Sequence, residues 1–242
     1  GYQAAEQVAA ALTGGVVTSA VNLPAVASED LEALGPFLPL ARDLGRIAVA
    51  LGEGTSVDGL EIEYLGRIAS RDTRLLTVQV LKGALSGHIE EDVNDVNAPG
   101  LARERGIEVI EKRAEAARDF TDLVRVTVVS GGQRSRVVGT TLGSAHRSHL
   151  LEAWGSRFNV QLETHLAVFR YTDQPGMIGR VGSIFGESGI NISAAAVGRR
   201  PDADHLGGVA TMLVTTDSPV PQEVVDLIAD TEGFTGGRTI SL

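Results

Sequence analysis

Between Tyr171 and Ile192 the chain reads YTDQPGMIGRVGSIFGESGINI. A strand ends in a polar Tyr-Thr-Asp-Gln, and Pro175-Gly176 opens an amphipathic helix with Met177, Ile178, Val181, Ile184 and Phe185 on one face. Gly189 stops that helix, and Asn191 stands at the start of the next strand. A strand, a tight entry, a three-turn helix and a glycine stop leave little choice but a small βαβ unit. Its edge is expected to bring together a carboxylate (Asp173), a helix start and a carboxamide (Asn191). Those groups suit a small zwitterion such as an amino acid.

The glycines of this segment also imitate a dinucleotide-binding turn. That turn requires G-x-G-x-x-G, because the second glycine lets the backbone approach the pyrophosphate. Here the position is Ile178, and Gly176, Gly179 and Gly182 form G-x-x-G-x-x-G. No strand ending in an acid follows at the required distance; Asp202 and Asp204 fall in a polar loop, RRPDADH. A dinucleotide site is not expected here.

The flanking pattern extends the unit. HLAVFRYTD is a strand, GINISAAAVGRR and GGVATMLVTTD are strands joined by the loop at 201–207, PQEVVDLIADTEG is a helix behind Pro219 and Pro221, and RTISL is a last strand. The order βαββαβ predicts an antiparallel sheet with two helices on one face, a ferredoxin-like domain. Before it lies a mixed α/β stretch. Leu38, Ala41, Leu44, Ile47, Ala48 and Leu51 recur at helical spacing, and GLEIEYLGRIAS alternates as a half-buried strand with Glu61 and Glu63 on a solvated face. DTRLLTVQVLKGALSGHI (72–89) predicts a helix behind an Asp72 cap. VNAPGLARERG predicts another with Pro99 near its start, followed by the strand IEVIEKR. DLVRVTVVS and RSRVVGTTL form a hairpin joined by Gly131-Gly132-Gln133.

At 242 residues the chain can bury a sizeable core. Its net charge of −10 argues against nucleic acid or an anionic membrane as a partner. The absence of cysteine removes disulfides, thiolate chemistry and sulfur-ligated metals. No 18-residue apolar run and no signal peptide pattern stand in the sequence, so the cytoplasm is the expected location. The opening GYQAAEQVAAALTGG begins inside a helix pattern without an initiator Met and leads into an extended VVTSAVNLP (16–24), which reads as a fragment of a longer parent.

No G-x-S-x-G, P-loop or H-E-x-x-H stands in the chain, and nothing assembles a nucleophile, a base and an orienter. No catalytic residue is therefore assigned. His146 and His149 are three apart and would share a helical face with Glu152, but the intervening Arg147 disfavours a metal, and none is expected. Arg134, His146, Arg147, His149 and Arg157 form a candidate anion-binding cluster. His165 reads as a sheet residue and Trp154 as a core anchor.

These segments together carry a resemblance. FLPLARDLGRIAVAL (37–51) and VNAPGLARERGIEVIEKR (96–113) resemble the intervening domain of long-form bacterial D-3-phosphoglycerate dehydrogenases. Y-x-D-x-P-G at 171–176 with G-x-N-I at 189–192 resembles the ACT regulatory domain, and the opening helix with AVNLP resembles the return of chain from that family's nucleotide-binding domain. The resemblance implies an α+β chain in three parts: a terminal helix and linker (1–28), a mixed α/β intervening domain (29–162) and a ferredoxin-like ACT domain (163–242). It implies that the NAD-binding Rossmann domain and the catalytic Arg, Glu and His lie upstream, so that this chain holds no cofactor. It further implies self-association through the ACT and intervening domains and feedback inhibition by L-serine at an interface of ACT domains. Tyr171, Asp173, Pro175, Gly176 and Asn191 would contact serine, Asp173 from one subunit and Asn191 from the other. The five-residue cluster is the candidate for the anion that the family's intervening domain is proposed to bind.

Two other readings fit parts of the sequence. The β-chain of an iron–sulfur L-serine dehydratase pairs a similar domain with an ACT domain, but its opening Ser-Ser-Ser-His-Thr run is absent here. A free-standing ACT-type amino-acid sensor is the other.

Overall fold

The computed structural model describes residues 26–117, 119–200 and 208–242. The predicted opening helix, the extended segment at 16–24 and the loop at 201–207 lie outside these residues. The chain divides into two compact units, one running to Ser135 with Gly139–His146, the other formed by Arg136–Val138 and Arg147–Leu242. No described helix is long and apolar enough to cross a membrane.

In the first unit, helices α1 (Ser28–Leu34), α2 (Phe37–Ala50), α3 (Arg74–Leu85) and α4 (Ala98–Glu104) accompany strands β1 (Gly59–Gly66), β2 (Glu108–Ala114), β3 (Asp122–Ser130) and β4 (Gln133–Leu142). β1 runs parallel to β2 and antiparallel to β3. The apolar stripe of α2 buries Leu40, Ala41, Leu44, Ile47 and Ala48 completely. α3 is shorter than the 72–89 pattern: its first residue is Arg74, and the Asp72 carboxylate accepts the Arg74 backbone N–H at 3.3 Å from just outside. Tyr64 on β1 ties α3 to the sheet, its hydroxyl lying 2.8 Å from Thr77 Oγ1, which donates to Glu111 Oε1 on β2 at 2.6 Å. The predicted hairpin is present: Gly131 and Gly132 both have positive φ and form a two-residue turn between β3 and β4, with Gln133 already the first residue of β4.

α2 and α3 cross at backbone contact. A Cβ on Gly45 would lie 2.1 Å from the Val80 carbonyl oxygen, and one on Gly83 would lie 1.8 Å from that of Arg42. Each glycine lets the other helix's main chain come closer than any side chain allows.

In the second unit, β5 (Arg147–Ala153) and β6 (Ser156–Gln161) form a hairpin, and β7 (His165–Thr172), α5 (Met177–Glu187), β8 (Ile192–Arg199), β9 (Val209–Thr216), α6 (Gln222–Ala229) and β10 (Phe234–Ser241) follow. The last four strands lie in the order β10-β7-β9-β8, every neighbour antiparallel. This is the ferredoxin-like βαββαβ arrangement read from the sequence. Its core packs Phe169 edge-on against Phe185 and Phe234, at 6.2 and 6.1 Å between ring centres, beneath Met177, Val181, Val225 and Ile228 of the two helices. β5 and β6 pack with these strands, β6 lying next to β8. Trp154 is buried, with the Arg170 guanidinium 4.5 Å from its ring centre. His165 opens β7 as expected, its Nδ1 3.3 Å from Ser241 Oγ.

His146, His149 and Glu152 do not share a helical face, because 147–153 is a strand, followed by a turn at Trp154 and Gly155, both at positive φ.

The glycine crossing gives a paired test. Gly45→Ala and Gly83→Ala each overpack a contact between main chains and should destabilise by about 1–3 kcal/mol. Gly182→Ala, on the open face of α5, meets nothing within 4 Å and should stabilise by roughly 0.5–1 kcal/mol through helix propensity. Urea unfolding followed by far-UV circular dichroism measures both signs.

Candidate ligand site

β7, α5 and β8 position the residues singled out by sequence. Tyr171 lies near the end of β7, and Asp173 follows it, its backbone N–H bonded to the Gly208 carbonyl at 2.8 Å. Gly176 caps α5 at φ 93°, a left-handed conformation that a side chain at this entry would strain. The helix has no side-chain cap, so its first N–H groups face outward beside exposed Pro175 and Gly176. Tyr171 is more deeply placed than the other four: its ring is only 2% exposed and packs 5.5 Å from Phe234. Burial, and then the charge of Asp173, push its phenol up to about 12, so it stays neutral.

Asp173 is paired. Its carboxylate accepts from the Arg199 guanidinium at the end of β8; the acid side chain is 12% exposed and the arginine 58%. Asn191 is exposed at the other end of β8, and its Nδ2 donates to Asp217 Oδ2 at 2.5 Å. Ser193 Oγ donates to the other oxygen, Oδ1, at 2.5 Å. These two bonds hold the Asp217 carboxyl below its ordinary range.

The sequence placed the carboxylate and the carboxamide at one edge of the unit. Within one chain they are not together. β7 and β8 run in the same direction with α5 returning between them, so Asp173 lies where β8 ends and Asn191 where it begins. Eight residues of strand separate Asn191 from Arg199, about 25 Å at the usual rise. Sequence reasoning also missed Arg199 and Asp217. The register could have supplied both, since Thr216 lies opposite Ile192 and Ala210 opposite Arg199, next to the β7–β9 pair Thr172–Val209.

Of the five candidate anion-binding residues, Arg134 lies on β4, Arg147 and His149 on β5 and Arg157 on β6. Arg134 donates to Glu61 at 2.7 Å, and Lys112 joins the same carboxylate at 3.0 Å. The Glu61 and Glu63 face is thus an ion-paired one, Glu63 accepting from Arg125 at 2.6 Å, and not a merely solvated one. His146 sits in a turn at φ 48°. Arg147 is exposed at the start of β5, and His149 Nδ1 lies 2.7 Å from Asn159 Oδ1. Arg157 stands opposite Glu152, four residues along β6 from the partner of His149. Of the five, His146 alone lines a cavity of about 410 Å³ in the first unit, with Arg67, Arg71, Asp122 and Thr140. That cavity's arginines are already matched, Arg67 by Asp122 at 3.3 Å and Arg71 by Glu29 at 2.6 Å and Asp30 at 3.3 Å.

Two family models match the chain: the D-3-phosphoglycerate dehydrogenase intervening domain over residues 33–152, and the ACT domain over 165–233. The chain carries a phosphoglycerate dehydrogenase intervening domain followed by an ACT domain. Proteins named D-3-phosphoglycerate dehydrogenase are similar along nearly all of it. The one from Archaeoglobus fulgidus is 32% identical over 98% of this chain, that from Methanocaldococcus jannaschii 33% over 98%, and that from Bacillus subtilis 30% over 99%. The chain spans 44%, 44% and 45% of their respective lengths. In the ACT domain, the pair Asp173–Arg199 and the trio Asn191–Ser193–Asp217 are therefore the two ends of one domain's exposed strand.

The buried ion-pair face of the intervening domain yields a pH prediction. Arg134 and Lys112 hold the Glu61 carboxyl down to about 2 from an ordinary 4.5. A lowered folded-state value means stability that is present above 4.5 and lost as pH falls toward 2. The melting temperature of the parent chain should exceed that of Glu61→Gln above pH 4.5, and the gap should close in thermal melts taken down to about pH 2.

Proposed function

We propose that this chain is the regulatory portion of an NAD-dependent D-3-phosphoglycerate dehydrogenase of serine biosynthesis, and that it binds L-serine between the ACT domains of two copies. The observation that carries this is the split site: Asp173 and Asn191 stand at opposite ends of β8, so one chain cannot close both on a small ligand. A second copy running antiparallel along β8 can. β6 meets β8 at the pair Arg157–Arg199, while the stretch from Ile192 to Val197 is exposed or half-exposed along its length. Its small residues Ser193, Ala194, Ala195 and Ala196 permit close approach. A two-fold axis through this exposed stretch would bring Asn191 of one copy toward the far end of β8 in the other, where Arg199 and Asp173 lie. An exposed strand edge is a template for such pairing, and two-fold symmetry produces two identical sites.

Each site would take Asp173, Pro175 and Gly176 from one copy, with buried Tyr171 backing them, and Asn191 from the other. The uncapped start of α5 favours the ligand's carboxylate. Serine would cross-link two ACT domains and favour one arrangement of the oligomer, which also associates through its intervening domains. Catalysis in the nucleotide-binding part would then fall, with the coupling of roughly 1–3 kcal/mol usual for such effectors. The setting is cytoplasmic, with NAD held by the catalytic part and no cofactor in this chain.

Thermal unfolding with L-serine tests the reading. A ligand at a hundred times its Kd adds about 2.7 kcal/mol, which raises Tm by roughly 5–10 °C in a chain of this size. Asp173→Ala and Asn191→Ala should each remove the shift. An unchanged Tm in millimolar L-serine contradicts the proposal.

A further inference from the structure

The ion pair of Asp173 with Arg199 bears on what kind of molecule can enter the site. Asp173 is nearly buried, and the charge facing it is the guanidinium of Arg199. Removing that partner leaves a carboxylate with little water around it, a costly state. A ligand can take Arg199's place on Asp173 only if it brings a cation of its own. Arg199 is 58% exposed on a long side chain and can swing. Once displaced, it needs a new anion close by.

Asp217 prepares the other half. It receives the Asn191 amide N–H and the Ser193 hydroxyl, so the Asn191 side chain is turned with its carbonyl oxygen away from Asp217. That oxygen is an acceptor, suited to an ammonium group.

We infer that Arg199 is the carboxylate-binding residue of this ACT domain and that binding proceeds by exchange of ion pairs. This rests on the two-copy site proposed above. The α-ammonium of an L-α-amino acid replaces Arg199 on Asp173 and donates also to Asn191 Oδ1 of the second copy. The released guanidinium turns to the α-carboxylate, which lies against the start of α5. No charge is left unpaired before or after, and no proton moves. Asp217 is a positioning residue: it fixes the carboxamide without touching the ligand. The chemical class selected is a zwitterion with its two charges one carbon apart. A plain amine supplies the incoming cation but leaves Arg199 without an anion, and a plain hydroxy acid cannot displace it at all.

Isothermal titration of the whole chain with L-serine and with ethanolamine, which is serine without its carboxylate, separates the possibilities. In the parent chain serine should bind at least tenfold more tightly than ethanolamine. Arg199→Gln should weaken serine at least tenfold and leave ethanolamine unchanged or tighter, erasing the preference; Arg199→Lys, which keeps the charge, should restore part of it. Asp217→Ala should weaken both ligands alike. Serine affinity unchanged in Arg199→Gln overturns the exchange while leaving the serine site standing. Failure of the parent chain to bind serine removes the serine reading. The same two chains are then compared by thermal shift against a mixture of the twenty amino acids: a shift in the parent that Arg199→Gln loses supports the exchange, and no shift in the parent overturns it too.

Discussion

Everything about the candidate site depends on one directional constraint. A helix that returns between two parallel-running strands carries the end of the first strand to the opposite end of the second. β7 therefore delivers Asp173 beside Arg199, while α5 delivers Asn191 beside Asp217, a whole strand away. The proposed pocket would be completed by a strand that runs the other way, such as the same strand of a second copy. The small side chains of β8 and its exposed edge are then parts of one arrangement.

The electrostatics follow from the same geometry. Asp173 is charge-paired by Arg199, whereas Asp217 keeps its negative charge, held ionised by two short hydrogen bonds from neutral groups. The intervening domain follows a comparable rule. Its cavity arginines and its sheet arginine, Arg134, face acids already, so a count of basic residues overstates its attraction for anions.

Much of the fold was legible in the sequence because its signals are local. Pro175-Gly176 and Gly189 bracket α5, Gly131-Gly132 turn the hairpin, and the alternation of apolar residues sets the strands. Grouping Arg134 with basic residues near it in sequence leaves out Glu61, which reaches it from 73 residues away. For His146 to Glu152 the sequence leaves helix and strand open. RSHLLEA has helical spacing, and the deciding signal is the Trp154-Gly155 turn, where a bulky residue takes a positive φ of 51°. Arg199 and Asp217 escaped because they act through strand register, which no single segment displays. The mutual approach of Gly45 and Gly83 is of the same kind: each glycine is unremarkable until the partner helix lies across it.

The central claim is that one effector site is shared between two copies, and complementation tests it most directly. Asp173→Ala and Asn191→Ala chains, each alone, should bind no L-serine. Mixed in equal amounts and allowed to exchange subunits, half the dimers should pair one of each and regain one intact site of two. Equilibrium dialysis should then recover about a quarter of the parent's serine capacity. Binding by either variant alone, or none in the exchanged mixture, would contradict a site built from both copies.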